Sequence, residues 1–200
     1  MKGKDNMGIA PSDKECLEAL IAKVLKTLGM DLDNPGLKET PRRFAAYLLE
    51  YHQSFNAKEV LGDGFEIPEG FHSMVVQSNI PFRMICEHHL LPAVGTASIG
   101  YVPDKRVVGL SKMTRLVQAV GLEKPTLQET IGDRIADILH GQLHPKGVIV
   151  VVSAKHLCMT ARGVTTPRVQ TTTSSVKGIF RDVPAARMEF FELIRGGEIR

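Results

Sequence analysis

Apolar positions repeat at helical spacing near both ends of the chain, and at strand-like spacing in the middle. Leu17, Leu20, Ile21, Val24, Leu25 and Leu28 make the first helical stripe. Ser12-Asp13-Lys14-Glu15 ahead of it has capping-box spacing, and Gly29 stands where such a helix would end. Cys16 lies beside this stripe and reads as a small buried side chain. Asp33-Asn34-Pro35-Gly36 predicts a turn, and Thr40-Pro41 predicts an N-cap followed by the first residue of a helix. Phe44, Leu48, Tyr51 and Phe55 continue one face of that helix. Residues 56–72, rich in Gly, Pro and charge, read as a connection.

From residue 73 the pattern changes. Residues 73–80 and 93–102 predict strands, with a turn at Pro103-Asp104-Lys105. Met113, Leu116, Val117 and Val120 mark a helix after Ser111, and Leu127, Ile131, Ile135, Ile138 and Leu139 mark a second. The unbroken apolar run at 147–153 predicts a buried strand, residues 169–180 another, and 184–194 a closing helix. Helices, strands, two helices, strands and a helix, in that order, favour an α+β class with an antiparallel sheet over an alternating parallel fold. The chain divides into a tail at 1–11, a helical region at 12–56 and a main domain at 57–200.

Two short segments carry metal chemistry. Cys86-Glu87-His88-His89 puts a thiol and an imidazole three positions apart, a spacing that one tight turn can present to a single ion. About 70 residues on, His156 and Cys158 alternate, which on an extended strand puts them on one face. Thiolate and imidazole donors in tetrahedral geometry point to zinc. The donor set allows two arrangements. Cys86, His89 and Cys158 alone would leave the fourth position for water and free His88 and His156 for chemistry. Cys86, His89, His156 and Cys158 together would close the site and make it structural, as in a non-enzymatic zinc-binding interaction module.

Other polar groups have competing readings. Lys112 and Arg115, at the start of the helix after Ser111, suit a phosphate chain or a solvated basic face. Arg162 follows Cys158 by four positions, and Arg42 and Arg43 are further cations. Gln128-Glu129 offers an amide and a carboxylate to the donor edge of a purine, yet Thr126-Leu127-Gln128-Glu129 is also a capping box. His52, His72, His140 and His144 have no metal-like partners and read as surface or satisfied histidines.

Composition narrows the class. The 200 residues are 43% hydrophobic and 24% charged, enough for a core with a soluble surface. A net charge of +3 does not suggest a nucleic-acid binder. Three cysteines make a poor disulfide framework and fit a reducing compartment. With no apolar run of membrane-spanning length and a polar start, the expected location is cytoplasmic, with no membrane partner.

Taken together, these segments resemble the GTP cyclohydrolase I family. The likeness is carried by Cys-Glu-His-His at 86–89, Gly-Leu-Ser-Lys at 109–112 with Arg115, Gln-Glu at 128–129 and His-Leu-Cys-Met-Thr-Ala-Arg-Gly at 156–163. Thr-Pro-Arg-Arg at 40–43 also fits, and the likeness spans roughly residues 15 to 195 in the family's motif order. The resemblance implies zinc on Cys86, His89 and Cys158, with His156 as the acid–base histidine. His88 and Ser111 would serve later proton transfers, and Gln128 and Glu129 would read the guanine. Lys112, Arg115 and Arg162 would hold the triphosphate, assisted by Arg43. It implies a tunnelling fold, an antiparallel sheet with helices on one face, assembled as a homodecamer with active sites between subunits. The implied reaction takes GTP to 7,8-dihydroneopterin triphosphate and formate, a first step toward folate, biopterin or deazaguanine products. The chain departs from the family in having Thr130-Ile131 after Gln-Glu and one more residue across 120–126.

Overall fold

A computed structural model describes residues 11–68, 70–71, 73–162 and 168–196. His72, the tail before Pro11 and Gly163 therefore lie outside the described residues. The chain divides into two units, one ending at Ser54 and the other beginning at Phe55.

The first unit holds α1 (Pro11–Thr27) and α2 (Thr40–Leu49). Gly29 takes a left-handed φ of 77°, and Met30 donates back to the Leu25 carbonyl, which ends α1 as the sequence implies. Ser12 lies within the first turn of α1 and not at its cap. Thr40 is likewise already helical, with Glu39 at the cap and Pro41 behind it. Ile21, Ala45, Leu49 and Tyr51 are buried, and Tyr47 packs edge-on to Tyr51. Cys16, expected inside, is exposed. It precedes the buried Ile21 by five positions, roughly 140° around the helix.

The second unit contains α3 (Ala57–Leu61), β1 (Phe65–Glu66), β2 (Val75–Ile85), β3 (Pro92–Val102), β4 (Arg106–Val107), α4 (Leu110–Glu123) and α5 (Gln128–Leu143). It continues with β5 (Gly147–His156), α6 (Leu157–Thr160), β6 (Thr171–Gly178), α7 (Ile179–Asp182) and α8 (Pro184–Gly196). Residues 56–72, read as a connection, thus hold a short helix and a strand that pairs with β4. Asn56 caps the helix through its side chain.

The main sheet is antiparallel in the order β2-β3-β5-β6. β2 runs past Pro81 to Ile85, five residues beyond the expected end, because an edge strand tolerates a missing N–H. One extra residue between Gln77 and Ile80 makes a bulge, with Asn79 at φ 55°. Alternation along β3 and β5 sends Ile99, Tyr101, Val148, Val150 and Val152 to the face covered by α4 and α5. Val102 and Ile149 face the other way, into a smaller cluster with Phe180 and Phe190 of α7 and α8. Two close approaches fix this packing. A Cβ at Gly121 would stand 2.3 Å from the Arg83 carbonyl, so α4 can lie directly on β2. A Cβ at Gly100 would meet the Phe190 ring at 2.5 Å.

Candidate active site

Register brings the two cysteine segments together. β3 pairs with β2 at Pro92–Ile85 and with β5 at Ala93–His156. The β2–β3 turn carrying Cys86, His88 and His89 therefore sits at the same end of the sheet as His156. That turn is closed by Cys86 N–H to the Leu91 carbonyl and Leu90 N–H to the Cys86 carbonyl. β5 stops at His156, and the chain enters the one-turn helix α6, which carries Cys158. Strand alternation is thus not what juxtaposes His156 and Cys158; a change from strand to helical turn does so.

The start of α5 reaches the same place. Thr126 forms a parallel bridge with Cys86, with Thr126 N–H on the Ile85 carbonyl and Glu87 N–H on the Thr126 carbonyl. The capping-box reading of Thr126 and Glu129 does not hold. Leu127 occupies the cap without a side-chain bond, and Thr126 Oγ1 pairs with Thr130 Oγ1 at 2.8 Å. Glu129 is left exposed on the wall of a cleft of about 360 Å3, shared with Cys86, His88, His89, Gln128, His156, Cys158 and Arg162. A larger groove of about 600 Å3 beside α5 is lined by Glu123, Asp133, Arg134 and Asp137 but by no cysteine or histidine, so chemistry and not size selects the smaller one.

Cys86, His156 and Cys158 place ligand atoms all within 4.8 Å of one another, and among the described residues this group suits a metal ion. Two thiols and an imidazole are a fitting donor set for a soft divalent ion. His89 lines the cleft but is not part of that close group; its ring lies edge-on to that of His88, with centroids 6.4 Å apart. Burial raises the Cys158 thiol above its usual pKa, and neighbouring Cys86 adds to the effect. Burial likewise lowers the pKa of His156, while the Glu129 carboxylate pulls the other way. Gln128, 2% exposed, joins His156 Nε2 through Oε1 at 2.7 Å.

Three further expected residues of the second unit are not in this cleft. Ser111, Lys112 and Arg115 occupy the first turns of α4 and do not line it. Arg42 and Arg43 belong to the first unit, where Arg42 pairs with Glu39 at 2.8 Å. Of the histidines set aside, His52 bonds the Leu48 carbonyl, and His144 ends α5 in the left-handed conformation usually left to glycine. Met159 and Thr171 line the cleft without having been anticipated; only the tertiary pairing of β5 with β6 brings Thr171 there.

Comparison with known proteins decides the family. The family model described as GTP cyclohydrolase I matches residues 17–195. The chain belongs to the GTP cyclohydrolase I family. The GTP cyclohydrolase 1 of Aquifex aeolicus (strain VF5) is 43% identical over 184 residues, covering 92% of this chain and 98% of that protein. The GTP cyclohydrolase 1 of Thermobifida fusca (strain YX) is 40% identical over 200 residues, covering 97% and 95%. Among solved structures, E. coli dihydroneopterin aldolase in complex with neopterin covers 53% of this chain and 99% of its own at 11% identity, with a TM-score of 0.41. Membership of the GTP cyclohydrolase I family makes the chain an enzyme of this type. No helix among its described residues is long and apolar enough to cross a membrane.

Proposed function

We propose that this chain converts GTP and water to formate and 7,8-dihydroneopterin triphosphate, with zinc held by Cys86, His89 and Cys158. The observation carrying this reading is the meeting of Cys86, His156 and Cys158 in a cleft whose rim carries Glu129 and Arg162. His89 is taken as third ligand because the family resemblance implies it, and His156 Nε2 is engaged by Gln128. When bound, zinc supplies a water activated near neutral pH.

The chain's own groups divide the remaining work. Glu129 accepts from the N1 and 2-amino donors of guanine, edge chemistry that adenine lacks. Protonated His156 hands its proton to N7 as the imidazole ring opens at C8. His88 and Ser111 move protons while the ribose opens, rearranges and recloses. Arg162 holds phosphate oxygens at the cleft, and Lys112 and Arg115 complete the phosphate site from a second copy of the chain, with Arg43 assisting. A ring-shaped homodecamer of tunnelling-fold subunits in the cytoplasm would meet that need. The product feeds pterin biosynthesis.

Incubation of zinc-loaded protein with GTP tests the proposal. Pterin absorbance and formate rise together and stop when a chelator strips the metal; absence of both products from metal-replete protein refutes it. The close Cys86–His156–Cys158 grouping favours one rival, a site in which His156 is also a ligand. Zinc content separates them: His156→Ala keeps the metal under the proposal and loses it under the rival, and His89→Ala loses it under the proposal.

A further inference from the structure

Gln128 is nearly inaccessible, at 2% exposure, and its amide is already committed. Nε2 donates to the Thr171 carbonyl at 2.9 Å and the Val152 carbonyl at 3.2 Å, with Thr173 Oγ1 at 3.5 Å. Carbonyl oxygens only accept, so the amide cannot be flipped: its NH2 must face β5 and β6, and its oxygen must face His156. That oxygen lies 2.7 Å from His156 Nε2 and cannot donate. The hydrogen bond therefore exists only when Nε2 carries a proton. Both amide hydrogens are thus spent on main-chain carbonyls, leaving none for a purine edge.

We propose that Gln128 is a positioning residue for His156, anchoring the ring by Nε2–H so that Nδ1 is the nitrogen that exchanges a proton with the substrate. Two strands set the amide, the amide sets the tautomer, and the tautomer sets which nitrogen works. Reading of the base then rests on Glu129, which is exposed, whereas Gln128 shares the cleft wall but is buried with its amide hydrogens already taken. The inference rests on the reading of His156 as proton donor, and it moves Gln128 from the base-reading pair to the support of the acid.

Zinc-loaded protein carrying 15N-labelled histidine gives a direct readout. The neutral His156 ring, assigned by its loss in His156→Ala, shows the proton on Nε2; a ring protonated on Nδ1 overturns the proposal. Gln128→Met, which keeps length but neither donates nor accepts strongly, removes that preference. Its kcat for GTP falls on the order of tenfold to a hundredfold. KM and the preference for GTP over inosine triphosphate, which lacks the 2-amino group, stay near wild type. A rise in KM with loss of that preference would instead make Gln128 a base reader and refute the positioning role. If Gln128→Met does not fold, the wild-type tautomer still decides. Wild-type protein that shows Nε2–H but never opens GTP defeats the proposed reaction and not the anchoring of the ring.

Discussion

The phenol oxygen of Tyr101 accepts the Val108 backbone N–H at 3.1 Å, and both residues are buried. This bond ties the end of β3 to the segment that launches α4. Tyr101→Phe leaves the Val108 N–H without a partner inside the core, at a cost of about 1–3 kcal/mol. Urea denaturation near neutral pH measures the loss. Burial also raises the Tyr101 pKa, against a smaller opposing effect of the Val108 bond. A folded pKa above the unfolded value means that the native state holds its proton longer. The contribution is complete below the ordinary tyrosine range near ~10 and is lost as pH climbs through the folded value. The wild type thus loses stability on alkaline titration in a step that Tyr101→Phe lacks.

Gly121 lets α4 touch the backbone of β2, and a methyl group there would meet the Arg83 carbonyl oxygen at 2.3 Å and the Phe82 ring at 3.4 Å. Gly121→Ala costs roughly 1–3 kcal/mol by overpacking. Because α4 also carries Ser111, Lys112 and Arg115, turnover of GTP falls while bound zinc stays at the wild-type level. Metal analysis beside a kinetic assay checks the pair.

Cys158 enters the apo protein as a thiol held protonated by burial and by Cys86. Metal binding must displace that proton, so zinc affinity rises with pH and drops as the solution is acidified. Calorimetric titration of stripped protein in two buffers of different ionisation heat counts the protons released. Cys158→Ser loses zinc and ring opening together; a serine variant that still processes GTP without metal removes the zinc scheme.

Glu129→Gln replaces an acceptor-only carboxylate with a mixed donor and acceptor. Selectivity for GTP over ATP weakens while zinc content is unchanged. Equal selectivity in wild type and variant would leave Glu129 without a role in base recognition.

Separation of Lys112 from the cysteine cleft within one chain leads to a mixing experiment. Lys112→Ala and Cys158→Ser are each inactive alone. Co-expressed, they form some sites with an intact α4 from one copy and an intact metal set from the other, and activity returns. A mixed preparation as inactive as its parents places both groups in the same subunit's site.

Much of this architecture was legible from periodicity, because α4, α5, β3 and β5 each bury one regular face against the same core. Errors fell where tertiary context overrode local rules. Pro81 looked like a strand end, but β2 is an edge strand and continues. Thr126 and Glu129 had the letters of a capping box, yet the Thr126 backbone is taken by the bridge to Cys86, which moves the cap to Leu127. The two cysteine-histidine segments pointed to a possible metal site, and Cys86, His156 and Cys158 do come together, although α6 and not a strand presents Cys158 and His89 stands outside the close group. The fixed amide of Gln128 could not be read in advance, because its partners are carbonyls of β5 and β6, more than 20 positions away.

The bridge between Cys86 and Thr126 is only two hydrogen bonds wide. It nevertheless makes the corner that carries Cys86 and the ledge that carries Glu129 a single mechanical piece. Slack in one is transmitted to the other, so a protein deprived of its metal should also become a poorer judge of purines, before any chemistry begins.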